Sequence, residues 1–172
     1  IRKVTATTTI SRVTKEYLDE GRVHVLQDKE IPPYATVFRI HGPFLFGAAD
    51  KIDELMQQIP ELPPIVILRL RNMTAIDATG LHALERLADQ VHATGRGLIL
   101  CGAREQPQRL MQQSEFEQHV GAENICPNVT EALARAQALY AEIGDKAPAA
   151  EHWGRRKSDH ESHKAEATAS SL

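Results

Sequence analysis

The feature that most limits the fold is the hexapeptide Ile65-Val66-Ile67-Leu68-Arg69-Leu70, apolar at every position but one. It is too short for a buried helix and lacks the alternation of a strand with one wet face. Runs of this kind belong to strands covered on both faces, which in turn need helices packed above and below the sheet. Leu98-Ile99-Leu100-Cys101, bracketed by Gly95 and Gly102, has the same character. Between the two runs, Leu81, Leu84, Leu87, Ala88 and Val91 recur at helical spacing. Strand, helix, strand in that order predicts an α/β sheet with crossover connections.

The flanking segments extend the pattern. Ala35-Thr36-Val37-Phe38-Arg39-Ile40 is a short β-rich run, and Gly42-Pro43 is expected to break it before a second short strand at Phe44-Leu45-Phe46. Ala48 to Gln58 reads as a helix with Ala49, Ile52, Leu55 and Met56 on one face, ended by Pro60, Pro63 and Pro64. Pro107 to Gln113 reads as a short helix and Ile125-Cys126 as a minimal strand. The last helix is Val129 to Ile143, with Leu133, Ala136 and Tyr140 in its stripe and Gly144 as its stop.

The periodic signals lie within residues 31–144, read as one folded domain. Residues 1–30 are a basic segment and linker, since Arg2, Lys3, Arg12 and Lys15 meet no acidic residue in the first fifteen positions. Residues 145–172 hold Pro, Ala, Ser, Glu, Lys and His with few apolar side chains, too few to offset the entropy of ordering; they are expected to form a disordered tail. The chain begins with Ile1 rather than Met, which is expected of a fragment of a longer protein. No apolar run approaches the ~18–20 residues of a membrane span, and no apolar stretch after Arg2-Lys3 makes a signal peptide. A net charge of -3 gives no field that would draw nucleic acid. Cys101 and Cys126 make no disulfide framework, and Cys101 reads as a buried reduced thiol.

The most specific stretch is Asp77-Ala78-Thr79-Gly80-Leu81: the first buried run is expected to pass into a short loop, after which Asp77 opens a helix. Asp77 is placed to cap a helix, its carboxylate accepting N–H groups of the first turn, where Thr79 and Gly80 follow. The free N–H groups and the helix dipole favour anions there. A hydrophobic strand followed by Asp-x-Ser/Thr-Gly-Leu resembles the STAS family of sulfate transporters and anti-sigma factor antagonists. Two further stretches resemble the sulfate permease (SulP) branch. Residues 31–51, Ile-Pro-Pro-Tyr through Ala-Asp-Lys, are similar to its first strand pair and first helix. Ile1-Arg2-Lys3-Val4-Thr5-Ala6 is similar to its basic exit from the last membrane helix.

The resemblance implies a mixed sheet of four to five strands with about four helices mainly on one side. It implies a regulatory and assembly domain of a secondary, sulfate-type anion transporter, at the cytoplasmic face of the inner membrane as part of an integral membrane protein. Its expected partner is the transmembrane domain of the same transporter. A soluble protein or a nucleotide at the Asp77–Leu81 surface, and a homodimer in the full transporter, are further expectations. In the antagonists the residue before the Gly is phosphorylated, which makes Thr79 the candidate phosphosite. The alternative is a stand-alone antagonist-like binding protein switched by phosphorylation.

Asp77 reads first as a helix cap and only remotely as catalytic, and Thr79 as a hydroxyl bonded to backbone unless a kinase acts on it. His41, His82, His92 and His119 show no ligand spacing, and His152, His160 and His163 lie in the polar tail. No phosphate loop, zinc-protease helix or nucleophile elbow is present, so no enzyme, cofactor, metal or nucleic-acid role is expected.

Overall fold

A computed structural model describes residues 8–13 and 30–148. A mixed five-stranded sheet runs in the order β1 (Thr9–Arg12), β2 (Ala35–Phe44), β3 (Ile65–Ile76), β4 (Gly97–Cys101), β5 (Ile125–Cys126). β1 is antiparallel to β2 and every other pairing is parallel. Five helices accompany it: α1 (Ala48–Gln58), α2 (Ala78–Ala93), α3 (Glu105–Gln113), α4 (Phe116–Val120) and α5 (Val129–Ile143).

The two faces of the sheet are dressed unequally. Phe38, Val66, Leu68, Leu70, Leu98 and Leu100 pack with α1 and α2, and with Met111 and Phe116 of α3 and α4. The opposite face, with Val37, Ile65, Ile67 and Ile99, is met by Val129, Ala132 and Ala136 of α5. The helices thus lie mainly on one side, as expected, with the short α4 as an addition. Leu84, Leu87 and Val91 are fully buried, and each such side chain contributes about 1.5–3 kcal/mol of transfer free energy. The buried run Ile65–Leu70 is covered on both faces, which accounts for its unbroken apolar character.

Four differences from the sequence reading have physical causes. First, β1 gave no signal: Thr-Ile-Ser-Arg is short and polar, and its pairing in register with Phe38 to His41 is a non-local interaction. Second, Gly42-Pro43 does not end the strand. β2 passes through it by register shifts at Arg39/His41 and Gly42/Pro43, with Gly42 at φ 90°. Such irregularities let a strand absorb a proline. Leu45 and Phe46 consequently fall outside the strand, in the β2–α1 loop. Third, the loop expected before Asp77 is strand: β3 continues to Ile76, with Met73 and Ile76 buried and Arg71 and Thr74 exposed. Fourth, in α1 Ala48 rather than Ala49 joins Ile52 and Leu55 in the core.

Gly144 ends α5 as expected, and a 3-10 turn follows over Gly144–Lys146. The linker and tail readings otherwise fall on residues 1–7, 14–29 and 149–172, outside the described residues.

Candidate functional site

The Asp77–Leu81 segment sits where β3 passes into α2, at the carboxyl ends of the parallel strands. In open α/β sheets this is the end at which ligands are usually met. Asp77 is in extended conformation, and its Oδ1 accepts a 2.8 Å hydrogen bond from the Gly80 amide. Its carbonyl accepts from the Leu81 amide at 2.9 Å, the first bond of the helix. The expected N-cap is therefore present.

Residues 78 to 81 divide sharply. Ala78 and Thr79 are exposed, whereas Gly80 and Leu81 are buried. Gly80 is where α2 presses on the end of β2. A Cβ there would lie 2.2 Å from the Phe44 carbonyl oxygen and 2.9 Å from Phe44 Cδ1. No real Cβ contact is so short, so the glycine is required by close approach. The Thr79 side chain, one position earlier, points into solvent from a helix start that cannot move inward.

Two neighbours complete the tip. Gln106, on α3, grips the last residue of β3 with both ends of its amide: Oε1 accepts from the Ile76 N–H at 3.0 Å, and Nε2 donates to the Ile76 carbonyl at 2.9 Å. Arg104 Nε donates to the Arg71 carbonyl at 2.7 Å, tying the β4–α3 loop to β3. On the other side, β2 ends in Phe44 and hands over to Leu45 and Phe46, the latter 91% exposed. The hydroxyl of Thr8 donates to the Pro43 carbonyl, so β1 starts at this same end of the sheet. Sequence reasoning missed Gln106 and Phe46. Gln106 is one of four glutamines in the polar helix Glu105–Gln113 and carries no signal of its own, and the run Phe44-Leu45-Phe46 predicts strand for Phe46.

The site offers a rigid polar helix start with an exposed hydroxyl beside an exposed aromatic ring. That arrangement can be touched or modified. Among the described residues no group of three or more His, Cys, Asp or Glu could hold a metal ion. His41, His82, His92 and His119 are all exposed. Cys101 and Cys126 are free thiols in register on β4 and β5. Burial pushes the Cys101 thiol up to about 12, which keeps it protonated and inert.

Comparison with known proteins places this geometry in a family. The family profile described as "STAS domain" matches residues 26–132. The sulfate transporter family protein from Wolinella succinogenes superposes with a TM-score of 0.61 at 32% identity, covering 67% of this chain and 94% of that one. The SulP transporter STAS domain from Vibrio cholerae superposes with a TM-score of 0.57 at 28% identity, covering 72% of this chain and 92% of that one. A putative anti-sigma factor antagonist from Thermotoga maritima shares the fold, with a TM-score of 0.52 at 15% identity over 63% of this chain and 92% of that one. In sequence, the bicarbonate transporter BicA of Synechocystis is 28% identical over 124 residues, 72% of this chain. The chain spans about a fifth of the length of the curated transporters it matches (20% and 19%). It belongs to the STAS domain family, and with it to the sulfate transporter family that the Wolinella structure represents.

Proposed function

We propose that the domain is the cytoplasmic regulatory and assembly module of a SulP-type anion transporter, and that its Asp77–Leu81 tip is the face turned toward the transmembrane part. The observation that carries the reading is the likeness to the Wolinella succinogenes sulfate transporter family protein, 94% of which is covered. The topology supports the orientation. β1 runs antiparallel to β2 with Thr9 opposite His41, so the chain before Thr8 leaves from the tip end of the sheet. A membrane helix upstream of the basic segment Arg2-Lys3 would lie on that side, and positive charge is favoured on the cytoplasmic side of a span. The tip would then meet the transmembrane part with Phe46 as an apolar anchor and Thr79 as a site where added charge alters the fit. The role is binding and regulation rather than catalysis.

The test is a charge at Thr79 in the intact transporter. Thr79 is exposed in the first turn of α2, so Thr79→Glu is expected to leave the melting temperature of the domain nearly unchanged while shifting anion uptake by the full protein. Unchanged melting together with unchanged uptake would remove the regulatory role from this surface. A cysteine at position 46 adds a second reading. It is expected to react with a maleimide in the isolated domain and to be shielded in the assembled transporter, where equal reactivity would place the contact elsewhere.

A further inference from the structure

The far end of α2, away from the tip, opens onto a cleft of about 250 Å³ between the helix end, the start of β4 and the last turns of α5. We propose that this cleft is the docking site of Trp153, the only tryptophan of the chain, whose indole pins the C-terminal segment to the domain. The proposal does not depend on the transporter reading, because it rests on the cleft and on the chain that leaves it.

The lining calls for an apolar occupant. Leu139 and Ile143 of α5 form a wall beside the start of β4, and both are only half-buried, so apolar surface stays open there. They stand over Gly97, where a Cβ would come 2.4 Å from Leu139 Cδ2 and 3.3 Å from Ile143 Cδ1. Arg96 borders the cleft, but its guanidinium is turned elsewhere. Nε donates to the Leu62 carbonyl and Nη2 to the Pro60 carbonyl, each at 3.1 Å, at the end of the 3-10 turn that follows α1. Asn124 is also committed, donating to the Val120 carbonyl at 2.7 Å and accepting from Arg135 Nε at 2.8 Å. The imidazole of His92 remains in the lining as a polar partner of the kind an indole N–H needs. The volume is below the ~300–1,000 Å³ of pockets for drug-sized ligands, which suits one large side chain.

The chain itself brings the occupant. α5 stops at Gly144, at φ 51°, and the 3-10 turn over Gly144–Lys146 carries the backbone back to the rim of the cleft. There a Cβ on Gly95 would lie 2.6 Å from the Lys146 carbonyl oxygen, so the chain past α5 lies against the turn that starts β4. The described residues end two positions later, at Pro148. Trp153 follows after five more, a length that spans up to about 17 Å when extended. Between Pro148 and Leu172 it is the only large apolar side chain; the others are alanines, a glycine and polar residues. A short tether keeps its end at high effective concentration near the anchor point. An aromatic ring buries ~150–250 Å², enough to offset the ordering of so few residues, whereas the polar stretch after it has nothing comparable to bury.

Intrinsic tryptophan fluorescence of the 172-residue chain reports on Trp153 alone. Its emission is expected to lie to the blue of that of a peptide of residues 147–157, with slower acrylamide quenching, at every protein concentration. Trp153→Ala alters a side chain outside the described domain and leaves the fold in place. Loss of the indole ring current should move the amide NMR shifts of Gly95 and Gly97 and leave those of Gly80 and Leu81, at the other end of α2, unmoved. Ile143→Glu puts a charge in the apolar wall and is expected to return the emission to that of the peptide. The Trp153→Ala comparison stands whether or not Ile143→Glu folds. The proposal is overturned by emission and quenching equal to those of the peptide, by Trp153→Ala shifts that spare Gly95 and Gly97, or by a folded Ile143→Glu chain that keeps the blue emission. A blue shift lost on dilution also overturns it, since the ring would then sit on a second copy.

Discussion

The two ends of α2 are held by opposite means. At its start, a glycine lets the helix backbone press against the Phe44 carbonyl, and the capping carboxylate of Asp77 is partly exposed and accepts from the Gly80 amide. Past its end, a full guanidinium is buried and held by two carbonyls, with a cleft beside it. The start is fixed by shape and tolerates charge at its surface. The end is fixed by polar bonds and leaves room. Shape thus sets the position of the helix start, and hydrogen bonds to the 3-10 turn after α1 set the position of the chain just past its end.

Substitutions at the two ends can break this contrast. The largest effect is expected at Gly80→Ala. Helix propensity alone predicts a gain of about 0.5–1 kcal/mol. The Cβ would meet the Phe44 carbonyl at 2.2 Å, however, and such overpacking should cost about 3 kcal/mol. Urea denaturation decides the sign, and a stabilised variant would show that the start is not sterically fixed. Arg96→Met comes next. It leaves the Pro60 and Leu62 carbonyls without their donor, for a loss of about 2 kcal/mol by the same measurement; a loss near zero would mean that the far end is not held by these bonds. Asp77→Ala removes the cap on the Gly80 amide, costing about 1 kcal/mol. The smallest change belongs to Thr79→Glu, whose new charge lies in the favourable field of the first turn and should alter stability by less than about 1 kcal/mol. If Thr79→Glu costs more than Asp77→Ala, the exposed start is more constrained than its surface position implies.

How far the sequence could be read depended on whether the determinant was local. The runs 65–70 and 98–101 announced buried strands because their apolar character comes from cover on both faces. The helix over 129–143 was legible from its stripe and from Gly144. The Asp77 cap is a three-residue pattern and was visible for the same reason. β1 was not, because Thr9–Arg12 becomes a strand only by lying against Phe38 to His41, across a long sequence separation. The reach of β3 to Ile76 was hidden by Arg71, Asn72 and Thr74, which read as loop but lie in a strand held by its irregular pairing with His41 to Phe44 of β2. At the site, Asp77 and Thr79 could be picked out; Gln106 could not, since its amide matters only because folding brings Ile76 within reach. Arg96 was invisible for a related reason: an arginine beside Gly95 and Gly97 reads as surface turn until the 3-10 turn folds its carbonyls over it.

The placement of β1 has a mechanical side. It is an edge strand joined antiparallel to β2 through the pairs Thr9–His41 to Arg12–Phe38, and the chain leaves it from the tip end. Antiparallel hydrogen bonds lie across the strand direction. A tug on Thr8 along the strand axis therefore loads these rungs together, in shear, instead of peeling them one at a time. A force transmitted through the polypeptide on the N-terminal side of Thr8 would arrive at the sheet by way of this coupling, beside the Asp77 tip.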